Sequence, residues 1–122
     1  MTEKTGSLAA EKERAAFVKA LRELDAALDG NIERARRMKE RIRELEAASA
    51  SGRPIRDIVP EVGTPPLVQL LTSSAQTFHD FGSRVRRTEA RVLHREGLTM
   101  DQIARLFGVS RQRVSALLRE DA

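Results

Sequence analysis

Arg111, Gln112 and Arg113 stand side by side near the C-terminal end of a 122-residue chain, and Ser115, Ala116 and Arg119 follow them. Three long hydrogen-bond donors on one helical turn suit phosphate oxygens and the edges of bases, and the positive end of a helix dipole adds to that. This is the chemistry of recognition rather than of bond making. The only histidines are His79 and His94. His79-Asp80 has the residue types of a base and its orienting carboxylate, but neighbours on a helix point apart, and no nucleophile or ligand cluster accompanies them. There is no cysteine, which excludes thiol chemistry, disulfides and Cys-ligated metal. The seven glycines fall at turns, not in a phosphate-cradling loop. The chain is read as a non-enzyme with no catalytic residues, metal or cofactor.

The elements that must hold those donors lie between Gly97 and Arg119, GLTMDQIARLFGVSRQRVSALLR. Thr99 can cap a first helix, with Gln102 completing a capping box. Ile103, Leu106 and Phe107 are expected to form its apolar face, and Ala104 lets a second helix approach closely. Gly108 stands where the chain must turn with positive φ. Val109 is expected to be the buried residue of the turn. Ser110 can cap the second helix, whose inner face would be Val114, Leu117 and Leu118. Small residue, turn glycine and later β-branched residue together describe a helix-turn-helix, in which the first turn of the second helix enters the major groove.

This stretch resembles the helix-turn-helix in the fourth region of bacterial sigma factors, and is similar to that of many small regulators. Ser110, Arg111, Gln112 and Arg113 match the Thr/Ser-Arg-Glu-Arg run that opens the recognition helix of that region, with Gln in place of Glu. The resemblance implies base reading by Arg111 and Gln112, extended to Ser115 and Ala116, and backbone contact by Arg113. Ser115 and Ala116 stand where primary sigma factors tend to have Arg and Gln. Glu suits cytosine and Gln adenine, so a different site is expected. From Arg53 onward the chain also looks like small actinobacterial helix-turn-helix proteins with a coiled N-terminal half.

Charge agrees with this placement. Charged residues make up 33% of the chain and aromatics 3%, with no Trp or Tyr. That favours helices packing Leu, Ile, Val and Ala over a large globular core. The net charge is +4: residues 1–49 carry +1, residues 50–83 carry −1, and residues 84–122 carry +4. A polyanion is expected at the C-terminal third. Arg84, Arg86, Arg87, Arg91 and Arg95 fall on the helix before the bihelical unit. Arg84, Arg86 and Arg87, with Thr99, Ser110, Arg113 and Arg119, are candidate backbone contacts without sequence preference. No apolar run is long enough to span a membrane and the N-terminus lacks a signal-peptide core. The expected location is cytoplasmic, at the nucleoid.

The expected fold is all-α. Residues 1–7 read as a disordered N-terminus, and 8–49 as a coiled-coil oligomerisation helix. Residues 50–65 read as a Pro/Gly linker, and 66–122 as the helix-turn-helix domain. The seam of 8–49 alternates by four and three: Phe17, Leu24, Asn31, Met38 and Leu45 on one set, Leu21, Leu28, Ala35 and Ile42 on the other. So narrow a stripe wants a partner helix. In one arrangement a single long helix pairs with its copy through Phe17, Leu21, Leu24, Leu28, Met38, Ile42 and Leu45, with Asn31 fixing register. In the other, Asp29-Gly30-Asn31 is a turn between two helices of a hairpin. The run Arg34, Arg36, Arg37, Lys39, Arg41, Arg43 reads as a solvated face, with an anion-binding surface as the lesser alternative.

Pro54 ends the helix, and Pro54 to Val59 can form one turn with Ile55, Ile58 and Val59 facing inward. A new helix is expected from Pro66, with Phe78 and Phe81 completing the core of the C-terminal module. Gly82-Ser83 is expected to break it before a further helix, Arg84 to Glu96, with Val85, Val92 and Leu93 facing in. The function these readings imply is a sequence-specific, double-stranded-DNA-binding transcription regulator acting as a homodimer or oligomer. The alternative is a sigma-like protein adaptor contacting RNA polymerase or another regulator. A third is a switch controlled by an anionic effector held by arginines of the coiled half.

Overall fold

The computed structural model describes residues 2–120, and the side chains of residues 8–120. It is all-helical, with no strand among the described residues. α1 spans Thr2–Ser49, α2 Ile55–Ile58, α3 Leu67–Arg95, α4 Met100–Phe107 and α5 Arg111–Arg119, and a 3-10 turn at Val59–Glu61 follows α2. The chain forms two compact units, one from residues 1–25 and 80–122 and one from residues 26–79. Helix is assigned from Thr2, where a disordered stretch 1–7 was expected; Met1 lies outside the described residues.

Of the two arrangements open for α1 the long helix is the one found, and the break expected in α3 is absent. α1 runs through Asp29-Gly30-Asn31 without a turn, so the hairpin alternative is replaced by one continuous helix. α3 likewise runs through Gly82-Ser83, and the separate helix from Arg84 does not occur. The reason is energetic. One glycine inside a helix costs about 1 kcal/mol relative to Ala, which the buried face of a long helix outweighs. At Asn31 the side chain is itself buried and bound, so it cannot act as a helix cap.

In the unit of residues 26–79 the two long helices run antiparallel. Arg34 bonds Ser74 and Thr77, whereas Arg41, one heptad later, bonds the carbonyls of Thr64 and Pro65. The expected solvated arginine face is therefore corrected at two positions. Arg34 is half-buried, and Arg41 is only 8% exposed. Arg34 forms a polar layer with its neighbours. Its Nε donates to Asn31 Oδ1 at 3.2 Å and to Ser74 Oγ at 3.1 Å, and its Nη2 donates to Thr77 Oγ1 at 2.9 Å and to Asn31. Asn31 Nδ2 is buried without a partner among the described residues. Asn31 thus sits in a register-fixing layer made within one chain, with α3 as the partner helix.

Arg41 holds the connector. Its Nε and Nη2 donate to the Pro65 and Thr64 carbonyls at 2.9 and 2.8 Å, and its Nη1 to Glu44 Oε1 at 3.1 Å. Glu44 in turn accepts the Gly63 N–H at 3.1 Å. A Cβ on Gly63 would lie 3.0 Å from this held guanidinium, which is why a residue without one fits there. The Thr64–Pro65 peptide is cis. Arg53 and Glu61 close the turn at 2.9 Å, and the guanidinium holds the Glu61 carboxyl below its usual range. Of the three apolar residues expected to face inward, Ile58 is 1% exposed, but Ile55 and Val59 are exposed. A four-residue helix followed by a tighter turn has one inward position, and Ile58 takes it.

In the other unit α1 contributes Ala20, which is buried, with Phe17 and Leu24 half-buried. Glu13 and Glu23 of α1 pair with Arg95 and Arg84 of α3 at 2.6 and 2.9 Å. The core of this unit is Ala90, Ile103, Ala104, Val114 and Leu117, covered by Leu93, Leu98, Met100, Phe107 and Leu118. The expectation that Phe78 and Phe81 complete this core is corrected. Phe78 is exposed and Phe81 half-buried, and the arginine of Arg84 lies over the Phe81 ring at 5.3 Å. Ala90 and Leu93 take that role, because they sit on the last turns of α3, where α4 and α5 reach.

Replacing Arg41 with Met is expected to lower stability by about 2 kcal/mol, because two carbonyls lose a charged donor. Urea denaturation measures this, and cleavage within residues 53–65 by a low dose of protease should accelerate in the same variant.

Candidate nucleic-acid interface

The site is built from its caps outward. Thr99 Oγ1 accepts the Gln102 N–H at 3.2 Å, and Gln102 Oε1 accepts the Thr99 N–H at 2.9 Å, closing the capping box that starts α4. Gly108 ends α4 at φ 67°, ψ 35°, a left-handed conformation that side chains with a Cβ adopt at a cost. Ser110 Oγ accepts the Arg113 N–H at 3.1 Å and starts α5. The turn between α4 and α5 is thus three residues, Gly108 to Ser110.

Two expected core positions are corrected. Val109 is 38% exposed rather than buried in the turn, and its N–H donates to the Ala104 carbonyl at 3.0 Å. Leu106, expected on the apolar face of α4, is 67% exposed. The helix has only two turns, and Ile103 and Ala104 already fill its inward face.

α5 divides sharply. Val114 and Leu117 are 0% and 1% exposed, while Arg111, Gln112, Arg113 and Arg119 are exposed. Ser115 and Ala116 are half-buried. The first turn of α5 therefore presents Arg111, Gln112 and Arg113 together, anchored from behind by a dry core. Thr99 and Ser110 lie at the starts of α4 and α5, with their hydroxyl oxygens engaged as caps.

The arginines differ in how they are held. Arg111 faces Asp101 at 3.8 Å, and both side chains are exposed. Arg113 and Arg87 share Glu120, at 3.5 and 3.7 Å. Arg87 is the more buried of the two, and its Nε has no partner among the described residues. Arg84 is committed to Glu23 and to the Phe81 ring. Arg86 is exposed, with no ion pair among the described residues, and lines an open groove with Glu89, Phe107, Val109, Arg113 and Leu117. The structure so brings Arg86, Arg87 and Arg113 to one face, and leaves Arg84 turned to α1.

Glu120 and Asp101 are the residues that sequence reasoning missed. Asp101 meets Arg111 only across the turn, and Glu120, although it adjoins Arg119 in sequence, pairs with Arg113 two turns back and with Arg87 of α3. No protein-family model, no curated protein and no solved structure matches this chain. Among the described residues no cluster of His, Asp and Glu could hold a metal ion. No helix there is long and apolar enough to cross a membrane.

Gly108→Ala should destabilise the chain by about 1 kcal/mol or more through its left-handed backbone. Thermal unfolding measures it. The same substitution at Gly82, in ordinary helix, serves as the comparison and should be neutral or stabilising.

Proposed function

We propose that this chain is a sequence-specific, double-stranded-DNA-binding transcription regulator, with α4 and α5 as a helix-turn-helix and α5 as its recognition helix. The observation that carries the reading is the first turn of α5, where Arg111, Gln112 and Arg113 are exposed while Val114 and Leu117 are buried behind them. A helix held so rigidly loses little entropy on entering a groove. Arg111 and Gln112 would read base edges, with Ser115 and Ala116 close to the same edge. Arg113, Arg119, Arg86 and the caps at Thr99 and Ser110 would meet phosphates.

The ion pairs at this face are compatible with that role. Exposed pairs such as Arg111–Asp101 and Arg113–Glu120 are worth about 0–1 kcal/mol, so a phosphate competes with the carboxylate at little cost. Glu120 would also tune affinity, because it offsets two arginines at once. One module of this size touches few base pairs, so two modules in a homodimer raise affinity through effective concentration. A two-fold site follows from a two-fold dimer. The place of action would be the nucleoid.

A protein adaptor is the second reading. It draws on Leu106, 67% exposed beside Leu98, Gln102 and Arg105 on the other side of α4. Capture of RNA polymerase in the absence of DNA, lost in Leu106→Glu, would favour it.

Selection of bound duplexes from a random pool should enrich a two-fold motif. Within it, Arg111→Ala and Gln112→Ala are each expected to cost about 1–3 kcal/mol and to relax one position of the motif. Arg86→Ala should weaken all sequences alike and reduce the salt slope by about one. Equal, sequence-blind losses in all three variants would remove the base-reading assignment. Glu120→Gln should tighten general binding at low salt and steepen its salt dependence.

A further inference from the structure

The unit of residues 26–79 carries an apolar face that its own helices leave uncovered. On α1, Ile32 and Ile42 are 58% and 44% exposed; on α3, Val68, Leu71 and Phe78 are 72%, 50% and 53% exposed. Ala35 and Ala75 are exposed in the same rows. On both helices these positions follow the facing residues by one: Ala35 after Arg34 and Ile42 after Arg41, Leu71 after Leu70, Ala75 after Ser74 and Phe78 after Thr77. Ile32 and Val68 extend the rows by a turn. In two antiparallel helices, the rows one residue beyond the facing rows lie on the same side of the pair. The two stripes therefore make one face, apolar except for Lys39, which follows Met38 in the row of α1.

We infer that this face binds a second copy of the chain, forming a four-helix contact around a two-fold axis. Two observations select a copy over another occupant. The first is area. Roughly 600 Å² of apolar surface is at the top of what a monomer leaves contiguous. Used twice, it reaches about 1,200 Å², where stable specific interfaces begin. The second is pattern. The rows repeat by three and four residues, the spacing by which side chains of one helix enter the gaps of another.

This dimer is the one the regulatory reading calls for, so the inference names the surface for that reading. It differs from a pairing through the Phe17, Leu24, Met38 and Leu45 seam, since those side chains are half-buried within one chain. It also stands without DNA, which lets the two be tested apart.

The test is sedimentation equilibrium of the full chain without DNA. The wild type should sediment at twice its 13.6 kDa chain mass at micromolar concentration. Ile32→Glu and Leu71→Glu should each weaken the dimer at least tenfold, with helical circular dichroism retained because both sites are exposed. Leu106→Glu, outside this face, should leave the mass unchanged. A monomeric wild type up to about 100 μM, or a dimer that persists in both glutamate variants, would overturn the inference. Arg111→Ala should keep the dimer mass while losing motif selection. Loss of the dimer with intact half-site selection, or the reverse, then assigns a failure to one reading alone.

Discussion

The exposed turn of α5 depends on close packing at two alanines. Ala90 of α3 is fully buried, and Ala104 of α4 is 8% exposed, so each helix meets its neighbours with almost no side chain between them. Val114 and Leu117 of α5 fill what is left. Interiors packed at this density resist any change of volume. The direction in which Arg111, Gln112 and Arg113 point is set by that contact and by the left-handed step at Gly108. The geometry of the face follows from these few residues.

The other unit is held by a different physics. Its seam is not purely apolar: Asn31, Arg34, Ser74 and Thr77 form a polar layer, and Arg41 sits buried against two carbonyls and Glu44. Such groups add little net energy, because desolvation offsets their bonds. They add specificity, because a shift of α3 by one residue would take Ser74 and Thr77 away from Arg34. The cation at Arg41 also explains how the segment 50–66, with four prolines and two glycines, keeps one course along α1.

The face proposed for recognition is less basic than a count of its arginines suggests. Asp101 and Glu120 neutralise part of it, and Glu23 withdraws Arg84 from it. The result is a moderate field, in which Arg86 and Arg119 are exposed and have no ion pair among the described residues. A DNA reader of the proposed kind would gain affinity from repetition of weak half-sites more than from raw charge.

Local chemistry was legible in the sequence. The capping box at Thr99 and Gln102, the left-handed glycine at 108 and the cap at Ser110 each rest on neighbours within a few residues, and one side chain's chemistry decides them. The buried pair Val114 and Leu117 follows from the helical period alone. The seam of α1 was half legible: Phe17, Leu24, Asn31, Met38 and Leu45 lie on it, but a period of three and four does not say whether the partner helix is the same chain or another. Continuity at Gly30 and Gly82, the burial of Arg41, the exposure of Leu106 and Val109, and the pairing of Arg87 with Glu120 were decided only by the tertiary structure. Each depends on what lies across a helix interface. Sequence spacing carries the period of one helix but not the identity of the surface that covers it.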